Sequence, residues 1–292
     1  MTDKQPLSNV SIAFFGAGSM AEAILRGLVE AKLTEPSRIT VLNRQNAERL
    51  RELANAYGVV PAIEDAQKLD ALATADVIIL GMKPKDAASA LSSLSATLRP
   101  EQLIVSVIAG LSIATMHQLL DRRQPIVRTM PNTSSTIGLG ATGISFSETV
   151  TEAQRAISLA IFNAVGMSVV VDEPLIEAVN GVSGSGPAYV YFMMEAMIDA
   201  GVQLGLTREA ATALTVQTVR GAGEMVKLTG EDPAELRRKV TSPNGTTFAA
   251  LEVMRQYGFE EGMNKAILRC AERAREMGEA IRAEADASRQ RQ

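Results

Sequence analysis

Two hydrophobic rhythms divide this chain. Short apolar runs recur through its first part: Val10–Phe15, Ile39–Asn43, Val77–Leu80, Ile104–Val107, Ile126–Met130, Gly140–Ser145 and Met167–Val171. Most are apolar at consecutive positions, as strands covered on both faces are. Segments with helical spacing lie between them, at Met20–Ala31, Ala47–Tyr57, Lys85–Leu98 and Ile113–Leu120. Strands and helices in alternation build a parallel sheet with helices on both faces, so residues 1–172 are expected to form a doubly wound α/β domain.

Beyond about Asp172 the strand signals give way to long helical patterns. Glu173–Gly181 opens this half, Ser183-Gly-Ser-Gly-Pro-Ala188 interrupts it, and Pro187, suited to a first helical turn, restarts a helix to about Leu204. Thr207 is a good N-cap for a helix to about Leu228. Asp232-Pro233 starts a short one ending near Val240. Thr246 or Thr247 starts another, to Tyr257, and Glu260 to about Ala285 is the last before a polar tail from Ser288. Residues 173–292 therefore read as an all-α domain. Tyr189, Phe192, Met193, Ala196, Met197 and Ala200 form an apolar stripe that builds either a local core or a dimer interface. Small residues at Ala196, Ala200, Gly201 and Gly205 permit close helix crossing and favour a homodimer.

Glycine spacing adds chemistry to this pattern. The run Val10–Phe15 leads directly into Gly16-Ala-Gly-Ser-Met-Ala21 and then a helix, the arrangement of a dinucleotide-binding turn. Gly16 permits the turn, Gly18 lets the backbone approach a pyrophosphate, Ser19 and Met20 follow, and Ala21 stands where helix and strand pack closely. The first domain is accordingly of the Rossmann type. An NAD-selective site usually carries Asp or Glu at the end of the second strand to take the ribose 2′-hydroxyl. Here Asn43 and Arg44 stand there, and a guanidinium pairs with a 2′-phosphate. NADPH is the expected cofactor, with NADH a lesser one; Arg44 otherwise reads as a solvated charge entering the next helix. Loops after strands extend the candidate cofactor site to Met82, Lys83, Pro84 and Ala109. Ala109 and Gly110 are small enough for a nicotinamide ring to approach, and Lys83 either faces phosphate or stays in solvent.

Composition narrows the classes. A chain of 292 residues with 46% hydrophobic content can build about two domains. A formal charge of -4 without a basic block argues against nucleic acid as a partner. No apolar run approaches the roughly 18 residues needed to span a membrane. Met1–Asn9 is polar, without the apolar core of an export signal, and Cys270 is alone; both fit the cytoplasm. One Cys and one His leave no Cys/His metal site. His117, on a sheet-covering helix, reads as structural.

Val240-Thr-Ser-Pro-Asn-Gly-Thr-Thr-Phe248 reads as a glycine-containing loop opening a helix. Free backbone amides at such a helix start, reinforced by the helix dipole, hold a small carboxylate without Arg or Lys. The same residues also spell an ordinary turn followed by a Thr N-cap.

Taken in order, Gly16-Ala-Gly-Ser-Met-Ala21, Met82-Lys-Pro84, Val105-Ser-Val-Ile-Ala-Gly110, Arg128-Thr-Met-Pro-Asn-Thr133, Gly184-Ser-Gly-Pro-Ala-Tyr189 and Ser242-Pro-Asn-Gly-Thr-Thr247 resemble the Δ1-pyrroline-5-carboxylate reductases over nearly the whole chain. The resemblance implies NAD(P)H-dependent reduction of a cyclic imine to L-proline, the last step of proline synthesis. It also implies a helical C-terminal domain that dimerises by interlocking, with larger rings of dimers in some members. By position, the substrate carboxylate falls on the loop containing Ser242, Asn244, Gly245, Thr246 and Thr247, and Thr247 matches the threonine that bonds the ring nitrogen. The chain departs from the family pattern at Asn244, where a second glycine is usual; Asn tolerates a left-handed backbone at some cost.

A protonated imine is already electrophilic, so hydride from C4 of the nicotinamide can attack its C=N carbon once the carbons are held in contact. Thr247 would orient the nitrogen and help manage its proton. A β-hydroxyacid dehydrogenase shares the two-domain plan but commonly needs a Lys near the start of the long interdomain helix, and none stands between Glu173 and Lys227. The same residues would also suit a reductase of a related cyclic imine, or a non-catalytic NADP-binding dimer that serves as a sensor or assembly partner.

Overall fold

The computed structural model describes residues 6–289. Eight strands form one sheet: β1 (Ile12–Phe15), β2 (Ile39–Leu42), β3 (Val60–Ala62), β4 (Val77–Leu80), β5 (Leu103–Ser106), β6 (Ile126–Met130), β7 (Gly140–Phe146) and β8 (Gly166–Val170). They lie in the order β3-β2-β1-β4-β5-β6-β7-β8, and β1 to β6 are mutually parallel. The order reverses between β1 and β4, which opens a crevice beyond their carboxyl ends. Phe14 sits opposite Val41 on one side and Ile79 on the other, so the centre of the sheet is apolar in every direction.

Helices α1 (Ser19–Glu30), α2 (Ala47–Tyr57), α3 (Asp65–Thr74), α4 (Pro84–Leu94), α5 (Ile113–Leu120) and α6 (Glu152–Asn163) connect the strands. Ile24, Leu25, Leu28, Ile161 and Phe162 bury one face of the sheet. Ala87, Leu91, Met116 and Leu120 bury the other. Both faces are covered, as the consecutive apolar runs require.

Three features differ from the sequence expectation. Strand β3 and helix α3 are additional elements: β3 has three residues including Pro61, which cannot donate to a ladder and is tolerated at this sheet edge. Strand β7 runs antiparallel to β6, and β8 follows β7 in parallel. Strand β8 forms the other edge, with Met167, Val169 and Val170 about half exposed.

After α7 (Ile176–Val179) and a π-helical turn at Asn180–Gly184 come α8 (Gly186–Gln203), α9 (Arg208–Thr229), α10 (Pro233–Lys239), α11 (Thr246–Gln256) and α12 (Phe259–Arg289). The Thr207 hydroxyl accepts from the Ala210 amide at 3.2 Å, and Asp232 accepts from the Ala234 amide at 2.8 Å, so both expected caps form. Helix α12 remains helical through Arg289, past the start of the expected polar tail; residues 290–292 lie outside the described residues, as do 1–5.

The chain forms two compact units. One comprises the chain up to Ser185 together with the part from Arg269 onward, and the other is Gly186–Leu268. The sheet unit thus extends beyond the boundary expected at residue 172. It also includes the C-terminal part of α12, where Ile281 and Ala285 are buried in the same cluster as residues of α4 and α5.

In the helical unit, the Tyr189–Ala200 stripe is not a local core. No residue of α8 is buried, and Phe192 is 76% exposed. Gly201 has a different role from the expected intersubunit one: a Cβ there would lie 3.0 Å from the Ala211 Cβ, so its smallness serves packing of α8 on α9. Gly205, at φ +97°, shapes the turn that follows α8.

Candidate active site

The turn from β1 into α1 is fixed by backbone crowding. The Gly16 amide donates to the Leu42 carbonyl at 2.9 Å, and the Gly81 amide donates to the Phe15 carbonyl at 3.0 Å. Gly16 has φ +124°, and a Cβ on it would lie 2.5 Å from the Gly81 carbonyl carbon. Gly18 caps α1 without any side-chain hydrogen bond, which leaves the first amides of α1 free. A Cβ on Gly18 would meet nothing nearer than the Gly81 oxygen at 3.9 Å, so the space above it is open.

A cavity of about 650 Å³ opens there, lined among others by Gly16, Gly18, Asn43, Arg44, Met82 and Lys83. Ser19, Met20, Pro84 and Ala109 are not in its lining. Ser19 begins α1, Met20 packs partly against the core, and Pro84 is the first residue of α4. Three charged lining residues escaped sequence reasoning: Lys68 of α3, and Lys85 and Asp86 in the first turn of α4. The last two directly follow the Lys83-Pro84 loop, which was the available signal. The cations Arg44, Lys68, Lys83 and Lys85, together with free helix amides and an open glycine turn, suit a dinucleotide carrying several phosphates.

Asn43 folds the chain rather than presenting its amide to the cavity. Its Nδ2 donates to the Asn46 carbonyl at 2.8 Å, and its Oδ1 accepts from the Asn46 amide at 2.9 Å. Asn46 then caps α2 by accepting from the Arg49 amide at 3.0 Å. This turn leaves Arg44 exposed, with its guanidinium 3.6 Å from the Asp86 carboxylate.

Arg49 ties the glycine turn to α2. Its Nε donates to the Ala17 carbonyl at 3.3 Å, and its guanidinium also bonds Glu22 of α1, which accepts from the Tyr57 hydroxyl at 3.0 Å. Burial works against ionisation of Glu22, but the bonds from Arg49 and Tyr57 and the charges of Arg49 and Arg26 outweigh it and lower its pKa. Burial and the Glu22 carboxylate together raise the Tyr57 pKa.

The loop after β5 has a structural reason for its small residues beyond room for a ring. Gly110 has φ +78°, and a Cβ on Gly278 of α12 would lie 2.5 Å from the Gly110 oxygen. The next helix is anchored by a carboxylate: Glu173 Oε1 accepts from the Ile113 amide at 2.7 Å and from Arg128 Nη1 at 3.2 Å. Arg128, 4% exposed, also bonds Glu177 at 2.6 Å. Asn132 accepts from the Ala141 amide and donates to the Ser183 carbonyl, bracing the loop after β6. His117 Nε2 lies 2.8 Å from the Gln124 carbonyl, a structural contact.

In the helical unit, α11 starts from Gly245 and not from a capping Thr. Asn244 has φ +60°, the left-handed conformation expected where the family carries glycine. The Gly245 amide donates to the Ser242 carbonyl at 3.0 Å, and Gly245 is the N-cap of α11 with no side chain capping the helix. The first intrahelical bond runs from Ala249 to Gly245, so the amides of Thr246, Thr247 and Phe248 remain free of helix partners. Thr247 is half-buried; Ser242, Asn244 and Thr246 are exposed.

Comparison with known proteins agrees with both units. Residues 173–277 match the family model described as pyrroline-5-carboxylate reductase dimerisation, and residues 11–110 match NADP oxidoreductase coenzyme F420-dependent. The chain is 42% identical over 270 residues to pyrroline-5-carboxylate reductase 1 of Bacillus subtilis, covering 92% of this chain and 90% of that protein. It is 40% identical over 278 residues to the pyrroline-5-carboxylate reductase of Pseudomonas aeruginosa, covering 94% and 100%. Among solved structures, a pyrroline-5-carboxylate reductase from Coxiella burnetii superposes with TM-score 0.85 at 36% identity, over 92% of this chain and 99% of that one. The Plasmodium falciparum pyrroline carboxylate reductase with NADP bound superposes with TM-score 0.82 at 27% identity, over 93% and 99%. With identities of this order sustained across both units, the chain belongs to the pyrroline-5-carboxylate reductase family.

Proposed function

We propose that this protein reduces 1-pyrroline-5-carboxylate to L-proline with NADPH, as the last step of proline biosynthesis, in the cytoplasm. The observation that carries the substrate assignment is the uncapped start of α11, where three amides stand without helix partners or a competing side-chain acceptor. A small carboxylate supplies the missing acceptor. In this reading Ser242, Asn244, Gly245 and Thr246 shape the carboxylate loop, and the Thr247 hydroxyl bonds the ring nitrogen.

When bound, NADPH would supply a hydride to the C=N carbon of the protonated imine, the carbon that becomes C5 of proline. Thr247 Oγ1 fixes the nitrogen so that the N–H proton stays on it while the C=N bond becomes single, and the secondary amine of proline results. Since the imine nitrogen arrives protonated, no strong protein acid is required. Gly16, Gly18, Ser19 and Met20 would receive the diphosphate at the α1 start, and Arg44, held in place by the Asn43 turn, the 2′-phosphate side of the ribose. Met82, Lys83, Pro84 and Ala109 would border the remainder. The four cations beside the cavity support NADPH over NADH.

A homodimer through the helical unit is supported by the dimerisation match over residues 173–277 and by the unburied apolar stripe of α8. A larger ring of dimers remains part of the proposal. The exposed Asn244 side chain, where relatives are expected to carry glycine, gives a related cyclic imine a specific claim as second substrate. The test is NADPH oxidation with pyrroline-5-carboxylate beside its six-membered-ring homologue, with proline identified as product. Nucleotide binding without turnover of either imine would sink the assignment.

A further inference from the structure

We infer that Asp86 is a cofactor-selecting residue: it offers the ribose 2′-hydroxyl of NADH a carboxylate and opposes the 2′-phosphate of NADPH. The inference rests on the reading of Arg44 as the partner of that phosphate. Asp86 is the sole carboxylate among the described residues lining the cavity, against Arg44, Lys68, Lys83 and Lys85. Lys68 is already bonded to Asp65 at 3.0 Å, whereas Asp86 stands 3.6 Å from Arg44. That separation is an ion pair rather than a tight hydrogen bond, so either partner can turn to a ligand.

Asp86 does not depend on Arg44 for its place. It is the third residue of α4, where a negative charge is favoured by the helix dipole. Its amide donates to the Lys83 carbonyl at 2.9 Å, and its carbonyl accepts from Ser89 at 3.3 Å. The backbone is thereby held and the carboxylate left beside Arg44. The acid that NAD-selective sites carry at the end of the second strand is absent here, because that position is Asn43 and its amide is spent on Asn46. Asp86 supplies an equivalent carboxylate from across the switch point. A group within 3.6 Å of Arg44 also lies near any phosphate that Arg44 receives, so like charges would oppose there.

The experiment is calorimetric titration of wild type, Asp86→Asn and Arg44→Ala with 2′,5′-ADP, 5′-AMP, NADPH and NADH, so that affinity is read without turnover. Asp86→Asn should bind 2′,5′-ADP about threefold to fivefold tighter, the scale of an exposed charge pair. It should bind NADH about fivefold weaker through loss of a charge-assisted bond, with 5′-AMP weakened alongside. If Arg44→Ala weakens 2′,5′-ADP while Asp86→Asn leaves the NADPH to NADH ratio unchanged, the role of Asp86 is overturned and that of Arg44 stands. If Arg44→Ala leaves 2′,5′-ADP unaffected, the phosphate lies elsewhere and both fall.

Discussion

Gly16 and Gly81 meet backbone to backbone across the sheet switch point, with no room for a Cβ on Gly16: it would lie 2.5 Å from the Gly81 carbonyl carbon and 2.7 Å from the Met82 amide nitrogen. Neither neighbour is a flexible side-chain end that could move aside. Gly16→Ala should therefore cost at least about 2–3 kcal/mol, from strain at φ +124° and displacement of the Gly81 strand end. Thermal unfolding should report this, and NADPH titration should show weakened binding because the same displacement reshapes the cavity. A variant with unchanged Tm would refute the crowding argument.

Glu177→Gln tests the buried ion cluster. Arg128 is 4% exposed and Glu177 12%, so removing one carboxylate leaves a guanidinium served by Glu173 alone. The expected loss is about 1–3 kcal/mol, less than for an isolated buried charge because Gln still accepts a hydrogen bond. Chemical denaturation of wild type and variant measures it directly.

Acid sensitivity should trace partly to Glu22. Its pKa is lowered in the folded protein, so its contribution is fully present above the ordinary carboxylate value and is lost as pH falls toward and through the folded one. Glu22→Gln should be less stable than wild type near neutrality, with a shallower decline of stability into acid. Parallel acid limbs would remove Glu22 from the explanation.

Thr247→Ala should lower kcat for the imine by roughly tenfold or more while leaving the Kd for NADPH within about twofold. The half-buried hydroxyl is proposed to touch substrate alone. Stopped-flow reduction and nucleotide titration on one preparation separate the two effects, and an unchanged kcat would take Thr247 out of the reaction.

Asn244→Gly should change stability by less than about 0.5 kcal/mol: glycine relieves the left-handed backbone at φ +60° but gains freedom in the unfolded chain. Its effect should appear in substrate range, as a lower KM for pyrroline-5-carboxylate relative to the six-membered imine. Equal KM ratios for the two proteins would show that the side chain does not border the substrate.

How much of this was legible in the chain depends on how local each signal is. Successive apolar runs and the Gly16-x-Gly18 turn announce a parallel sheet because each carries its own pattern. Strand β3 escaped because three residues containing Pro61 form no run, and it borrows stability from its register with Thr40–Leu42. The direction of β7 was invisible, since an apolar run has no polarity. At the site, Arg44 was found from its place after a strand, whereas Asp86 arrives from α4 and only the fold brings the two within 3.6 Å. The loop before α11 was readable because its turn and free amides are set by neighbouring residues, though a sequence cannot choose between a capping Thr and a capping Gly245.

The contact of Gly278 with Gly110, and the burial of Ile281 and Ala285 in the cluster that α4 and α5 build, have a consequence for the order of events at the ribosome. Most of the nucleotide-binding unit is translated first, yet its last layer emerges only after α8 to α11 have been made. Until then, the apolar residues of that cluster lack the partners that α12 brings, and exposed apolar surface is what recruits chaperones. Vectorial synthesis thus places the completion of the cofactor fold after the helices of the second unit, so that a polypeptide interrupted late in translation has the β-sheet without its final brace.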